Sequence, residues 1–545
     1  MAGMSFEMVL RADPEPWRKA AADWDNLGRS LDERVDALVR SKKRMSGVWE
    51  SGPASTAAGA HCDSLCKELD ATYPPVLLIA QALAQHGNTV AELRARAREL
   101  VEQGRAAHIT VHPDGSMTAD PAHTTESTAR SLSHLVSARD AVLRQAAELD
   151  ARTGKIIAEN MPSASGPTTA QVDRSTVPAR GTDPAAVKRW WDSLSPAQRR
   201  YAMAEYPELV GSLDGVPVAN RDIANRITLD RELDGRLERR AELDAREARI
   251  RNMVEQGRAA ELYPGQHHPG TLLAQRELRE IADERGQINR TLPGLEQIDA
   301  RLENPEKPRA YLIGLSTVDD GRAIVSVNNP DAADSVLTYV PGVGVDLSGT
   351  VYGIDRADAM ASDAARVDPS RQTASVYWLG YDTPNDAVTN APFASYAEDG
   401  AQELNRFQNG LRLTHEGEPS RNIVLGHSYG SLVVGHAASG TGINASGVIL
   451  LGAPAAGVNS ALEFRGVTAD EVWVTRAAND QIANKSWDGW YGIDPTEPAF
   501  GGRVFGSDPG DAADWTKAHS SYWDFGNLAR ENIANIVTGH PDGVR

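Results

Sequence analysis

Two cysteines in 545 residues exclude a disulfide-built scaffold. Cys62 and Cys66 stand four apart, on one face of an expected helix, where disulfide geometry is poor; they read as small buried or half-buried side chains. No apolar run approaches the roughly 18 residues that a membrane-spanning helix needs. Positive charge is also short: 56 Lys and Arg against 75 Asp and Glu give a formal charge of -19 and no basic stripe, so a nucleic-acid partner is not expected. The opening MAGMSFEMVLRADPEPW has no basic segment followed by an apolar one, so no cleaved signal peptide is expected. The expected location is the cytoplasm, or outside the cell by a route without a cleaved signal. Aromatics are lean at 6%, but 41% hydrophobic and 24% charged residues are ordinary for a globular chain.

What is present divides along the chain, and the length exceeds what one core of roughly 250–300 residues serves. Residues 1–160 read as helices. Leu27, Leu31, Val35, Leu38 and Val39 recur at helical spacing and predict one packing face. A turn at 45–52 ends in Trp49-Glu50-Ser51-Gly52, and an Ala-rich helix with Leu65 and Leu69 follows. This helical hairpin resembles WXG-type proteins and the N-terminal domains handled by type VII secretion systems, and Tyr201 and Glu205 supply a Y-x-x-x-E spacing. That resemblance implies a protein partner, or secretion machinery, for the N-terminal helices. ITVHPDGSM at 109–117 predicts a β-hairpin, and Leu132, Leu135, Leu143 and Leu149 mark another helix. Residues 161–183, rich in Pro, Ser, Thr and Gly, read as a linker, and 184–227 as a helical lead-in. Residues 228–302 interleave both charges with leucine and predict solvated, coiled-coil-like helical arms. His267 and His268 sit in the break between the arms as a surface loop, not a metal site.

From about residue 303 to 535 the periodicity changes. Short runs rich in Val, Ile, Leu and Tyr at 310–316, 322–327, 335–340, 375–379, 422–425, 447–451, 471–475 and 502–505 alternate with helical segments. That is the pattern of a mostly parallel sheet covered by helices, an α/β fold. Within it, R-N-I-V-L-G-H-S-Y-G-S-L-V-V-G-H-A-A joins an apolar strand to a small-residue helix through Ser428. Gly426 and Gly430 bracket the serine where side chains would collide in a sharp strand-to-helix turn, the form of a nucleophile elbow. A serine needs a base, and the base an orienting acid. In an α/β-hydrolase the acid follows a later strand and the histidine comes last. Asp480 follows the strand at 471–475, with Asp488, Asp494, Asp508 and Asp511 as rivals. His519 is the base by position and because His436 lies in the elbow helix and His540 in the tail. The oxyanion hole is expected from the backbone N–H of Tyr429 and that of Val343, with Gly344 as the alternative.

Several segments together resemble an actinobacterial α/β-hydrolase family long catalogued as a domain of unknown function: LDGVPVANRDIANR at 213–226, GRAIVSV at 321–327, VPGVG at 340–344, WLGYDTP at 378–384, GHSYGS at 426–431 and HSSYWD at 519–524. The resemblance spans about residues 185–530 and implies an eight-stranded sheet with Ser428, Asp480 and His519 as its triad. The arms at 228–302 look like an insertion between those motifs. The expected activity is hydrolysis of an ester or related acyl bond in a small-molecule or lipid-like substrate, with no metal or organic cofactor. The alternative is a secretion-associated interaction protein with an inactive hydrolase domain.

Overall fold

The computed structural model describes residues 5–48, 53–123, 125–161, 171–304, 306–386, 394–482 and 491–545, the side chains of many of residues 32–74 excepted. The chain forms two compact units, Met1–Thr176 with Ser193–Tyr206, and Val177–Asp192 with Pro207–Arg545. Among the described residues no helix is long and apolar enough to cross a membrane.

The first unit is built on three long helices, Glu15–Val48, Pro53–Ala106 and Glu126–Asn160, with the antiparallel hairpin β1 (Ile109–Val111) and β2 (Met117–Ala119). Gly115, at φ 85°, makes the hairpin turn. Leu135, Val142, Ala146 and Leu149 close a core with Phe6, Leu93, Leu100 and Ile109. On the helix Glu15–Val48 the expected face holds at Leu31, which is half-buried, but not at Leu27; the side chains of Val35, Leu38 and Val39 lie outside the described ones. Leu27 is 46% exposed, and the buried side runs through Trp17, Ala21 and Trp24 to Gly28. Gly28 decides this, because a Cβ there would stand 2.9 Å from Leu77 and the missing side chain lets the helices close. Trp49 and the rest of its Trp-Glu-Ser-Gly turn lie outside the described residues. Cys62 is half-buried with a free thiol.

In the second unit eight strands form one sheet: β3 (Ala310–Ser316), β4 (Arg322–Val327), β5 (Ser335–Val340), β6 (Thr373–Leu379), β7 (Arg421–His427), β8 (Gly447–Leu451), β9 (Val472–Thr475) and β10 (Arg503–Val504). Their order is β10-β9-β8-β7-β5-β6-β4-β3. The pairs β3–β4 and β4–β6 are antiparallel and the rest parallel, so the sheet is mostly parallel. Alternation at period two sends Val336, Val424, Val448 and Val474 to one face, and Leu337, Leu425, Ile449 and Trp473 to the other. Helices Ser395–Thr414 and Gly430–Ser439 cover the first face; Thr350–Val367 and Leu528–Thr538 cover the second.

The lead-in and the first arm are not separate pieces. One helix, Val218–Glu255, runs through the boundary expected at residue 228. Its first turns cover the edge strand β3: the N–H of Leu312 donates to Asp222 (2.7 Å), and the Asn225 amide donates to Leu312 O (2.9 Å). Its outer part pairs with Gly270–Leu302 through Leu243, Ile250, Ala274, Ile281 and Ile288, a seven-residue spacing that gives a coiled-coil seam. Arg239–Glu284 and Arg246–Glu277 bridge the two helices along it. The expected linker is also partly folded, since Val172 and Val177 are buried; residues 162–170 lie outside the described ones. His267 and His268 are exposed, in the loop between the arms.

The helix Val218–Glu255 starts without a side-chain cap of its own. Buried Asp331 supplies one from the β4–β5 loop, accepting from the N–H of Val218 (2.6 Å) and the hydroxyl of Thr414 (2.5 Å). Burial nonetheless pushes its carboxyl up to about 7. Such a group keeps in the fold a proton that the unfolded chain releases near pH 4. Its contribution to stability is therefore full below about pH 4 and is lost as the pH rises to about 7. Denaturant titrations of wild type and Asp331→Asn should show the wild-type advantage shrinking across that window, by a few kcal/mol at ~1.4 kcal/mol per pH unit, and level above it.

Candidate active site

β7 is buried along nearly its whole length and ends at His427, where the chain must turn at once into the helix Gly430–Ser439. Ser428 makes that turn at φ 56°, a left-handed conformation that costs a non-glycine residue about 1–2 kcal/mol. The surroundings hold it there. Its N–H donates to Leu451 O (3.0 Å) at the end of β8, and Ser431 Oγ donates back to Gly426 O (2.8 Å). A Cβ at Gly426 would stand 2.6 Å from Gly430 O, and one at Gly430 would stand 2.3 Å from Val340 O. Strand, turn and helix thus touch backbone to backbone, and the serine is left half-buried at the C-terminal edge of the sheet.

Asp480 lies five residues beyond the end of β9, its side chain wholly buried. His519 sits in the short helix Trp515–Ser520, which Asp514 caps. The two meet, His519 Nδ1 standing 2.8 Å from Asp480 Oδ2. The N–H of Ile482 donates to the other carboxylate oxygen (3.0 Å). Gly452, at φ 54°, makes room, because a Cβ there would lie 3.0 Å from Asp480. Among the described residues the rival acids are engaged elsewhere. Asp494 pairs with Arg476, Asp508 accepts from the N–H of Leu528, and Asp511 caps the turn at Ala513 and Asp514. Asp488 lies outside the described residues. His436 is in the elbow helix and His540 pairs with Asp368. Ser428 Oγ and His519 make no hydrogen bond, the looser arrangement common before a substrate aligns the pair.

Two residues given no role in the sequence reading tie these parts together. Tyr522 is fully buried; its hydroxyl donates to Asp480 Oδ2 (2.5 Å) and accepts from the N–H of Ala477 (3.0 Å). Burial, with Asp480 adjacent, pushes its phenol far up, so it stays a donor. His427, immediately before the serine, stacks on His519 with ring centroids 4.8 Å apart. Burial, then the neighbouring His519 and Arg356, lower its basicity well below the ordinary value. It is therefore neutral, and its Nε2–H donates to His519 O (2.9 Å). Tyr522 had a weak sequence signal, three residues after His519 in H-S-S-Y; His427 had none beyond its place in the pentapeptide.

The loop after β5 comes against the serine. A Cβ on Gly342 would stand 2.9 Å from Ser428 Cβ and 3.3 Å from its Oγ. The segment after β6 pins this loop: Tyr381 OH donates to Pro341 O (2.7 Å), Thr383 Oγ1 to Val345 O (2.7 Å), and the N–H of Gly344 to Pro384 O (2.8 Å). That bond occupies the Gly344 N–H, the alternative to Val343. Tyr429 follows Ser428 and immediately precedes the elbow helix, whose N-terminus therefore lies beside the serine.

A family model described as alpha/beta hydrolase matches residues 317–487, a span that holds the elbow and Asp480 but stops short of His519. An uncharacterized protein of Mycobacterium tuberculosis is 29% identical over 399 residues, covering 68% of this chain and 57% of its own length. An uncharacterized protein of Mycobacterium bovis is 33% identical over 220 residues, covering 38% of this chain and 77% of its own. The chain thus spans little more than half the length of the first of these relatives. No solved structure matches it.

Two substitutions probe the geometry. Gly342 has no positive φ, so Gly342→Ala tests space alone; its Cβ would press on Ser428 Cβ and His427 O, neither free to swing away, and should cost about 1–3 kcal/mol in a denaturant titration. Tyr522→Phe leaves a buried N–H and a carboxylate lone pair without their partner, a cost of about 1–3 kcal/mol in a denaturant titration.

Proposed function

We infer that this chain, which belongs to the α/β-hydrolase family, is a serine hydrolase working through an acyl-enzyme. The observation that carries the reading is the 2.8 Å contact between His519 Nδ1 and buried Asp480, at the sheet edge where Ser428 stands in a left-handed turn. Asp480 accepts a hydrogen bond from Nδ1–H and so leaves Nε2 as the basic nitrogen. Ser428 Oγ attacks a carbonyl carbon while His519 Nε2 takes its proton. The negative charge that develops on the carbonyl oxygen is met by the N–H groups of Tyr429 and Val343 beside the helix N-terminus. His519 then protonates the leaving group, and water, activated by the same nitrogen, releases the acyl group from Ser428. Asp480 stabilises the imidazolium in both halves.

The bond is an ester or a related acyl bond, and the substrate a small or lipid-like molecule. The route needs no metal or organic cofactor. Activity-based labelling of the purified chain with a fluorophosphonate tests it. Wild type should label at one serine, Ser428→Ala not at all, and His519→Ala and Asp480→Asn slower by roughly 10³-fold or more. Equal labelling of wild type and Ser428→Ala would overturn the reading. Hydrolysis of p-nitrophenyl esters of increasing acyl length then ranks the substrates.

A further inference from the structure

A second group of chemically active side chains lies in the N-terminal unit. The helix Pro53–Ala106 is followed by His108 in a left-handed backbone, at φ 56°. Glycine or asparagine is the usual choice there, and a histidine costs about 1–2 kcal/mol. The β1–β2 hairpin returns the chain to the same point, where the N–H of Asp120 donates to His108 O (2.9 Å). The turn Pro121–His123 then brings His123 alongside, its N–H donating to Asp120 O (3.0 Å). The backbone thus fixes all three residues.

Their side chains are already gathered. The imidazoles of His108 and His123 stack with centroids 4.1 Å apart and planes 6° from parallel, and His123 Nδ1 stands 2.8 Å from Asp120 Oδ2. One ligand atom from each of His108, Asp120 and His123 lies within 4.8 Å of the other two. The N–H of Ala122 donates to the other Asp120 oxygen (2.9 Å). Around a tetrahedral ion with bonds of about 2.0–2.1 Å, ligand atoms stand roughly 3.4 Å apart. An imidazole binds a metal in its own ring plane, so the nearly parallel rings must turn out of their stack for both lone pairs to converge on one ion. Two imidazole nitrogens and a carboxylate oxygen are a donor set that suits Zn²⁺.

We propose that His108, Asp120 and His123 form a Zn²⁺ site, with solvent completing the coordination. The site is open: the His123 and Asp120 side chains are 51% and 45% exposed. Its effect is to tie the end of one long helix, a hairpin of three-residue strands and the start of the helix Glu126–Asn160 to one ion. So short a hairpin has little stability of its own. Bound zinc stabilises the fold by mass action.

The test is calorimetric titration of tag-free full-length protein with ZnCl₂, with the visible spectrum of added Co²⁺ as a second reading. Wild type should take one equivalent. His108→Asn removes a ligand while tolerating the left-handed backbone, and with Asp120→Asn it should weaken binding by about tenfold or more. His108→Asn combined with His123→Ala should abolish binding, and zinc should raise the melting temperature of wild type but not of this double variant. His112→Ala and His134→Ala should bind as wild type does. If wild type takes no zinc, or the double variant binds it equally, the cluster is only a hydrogen-bonded surface group and the proposal fails. Fluorophosphonate labelling of Ser428 should be the same in every variant, which separates this result from that of the hydrolase reading.

Discussion

The second unit is governed by the double burial of its central strands. β5, β7 and β8 are covered on both faces, and their backbone groups bond to neighbouring strands on both sides. No reacting group can be presented from within such strands. Polar chemistry is displaced to the edge where each chain segment leaves the sheet, and there Gly342, Ser428 and Asp480 stand, each just past the end of a strand. The same burial makes the exits tight. Gly426 and Gly430 occur where backbones touch and no Cβ fits, and Gly452 where one would crowd Asp480 and Tyr522.

The segments singled out in the sequence are contacts between exits and edges. The stretch at 213–226 satisfies the open side of β3 through Asp222 and Asn225. The stretch at 378–384 holds the loop at 340–344 through Tyr381 and Thr383. The stretch at 519–524 carries both His519 and the tyrosine that bonds its partner acid. Each motif is legible as a string, but its reason is a second string more than thirty residues away.

That distance marks what could be read beforehand. All eight runs became strands of one sheet; the central ones were legible because double burial leaves a continuous local run of apolar residues, whereas β10 is a two-residue exposed edge. Ser428 was legible because its turn needs two glycines at fixed offsets. Other features arise from pairs remote in sequence. Leu27 follows the helical period yet faces water, because Gly28 closes on Leu77 from another helix. The boundary placed at residue 228 followed a change in charge density, to which a continuous helix is indifferent. Asp331 carries no local signal, and only the fold makes it the cap of a helix that begins 113 positions earlier.

The paired helices Val218–Glu255 and Gly270–Leu302 differ from the rest in how their outer parts are held. Beyond the turns that dock on β3, their seam is satisfied by the two helices themselves, at a repeat of seven. A structure with that repeat can gain or lose whole heptads from both limbs, near the loop at 256–269, without changing any side chain that meets the sheet. Its length is therefore a character that lineages can vary independently of the chemistry at the sheet edge, much as a handle is fitted to a blade.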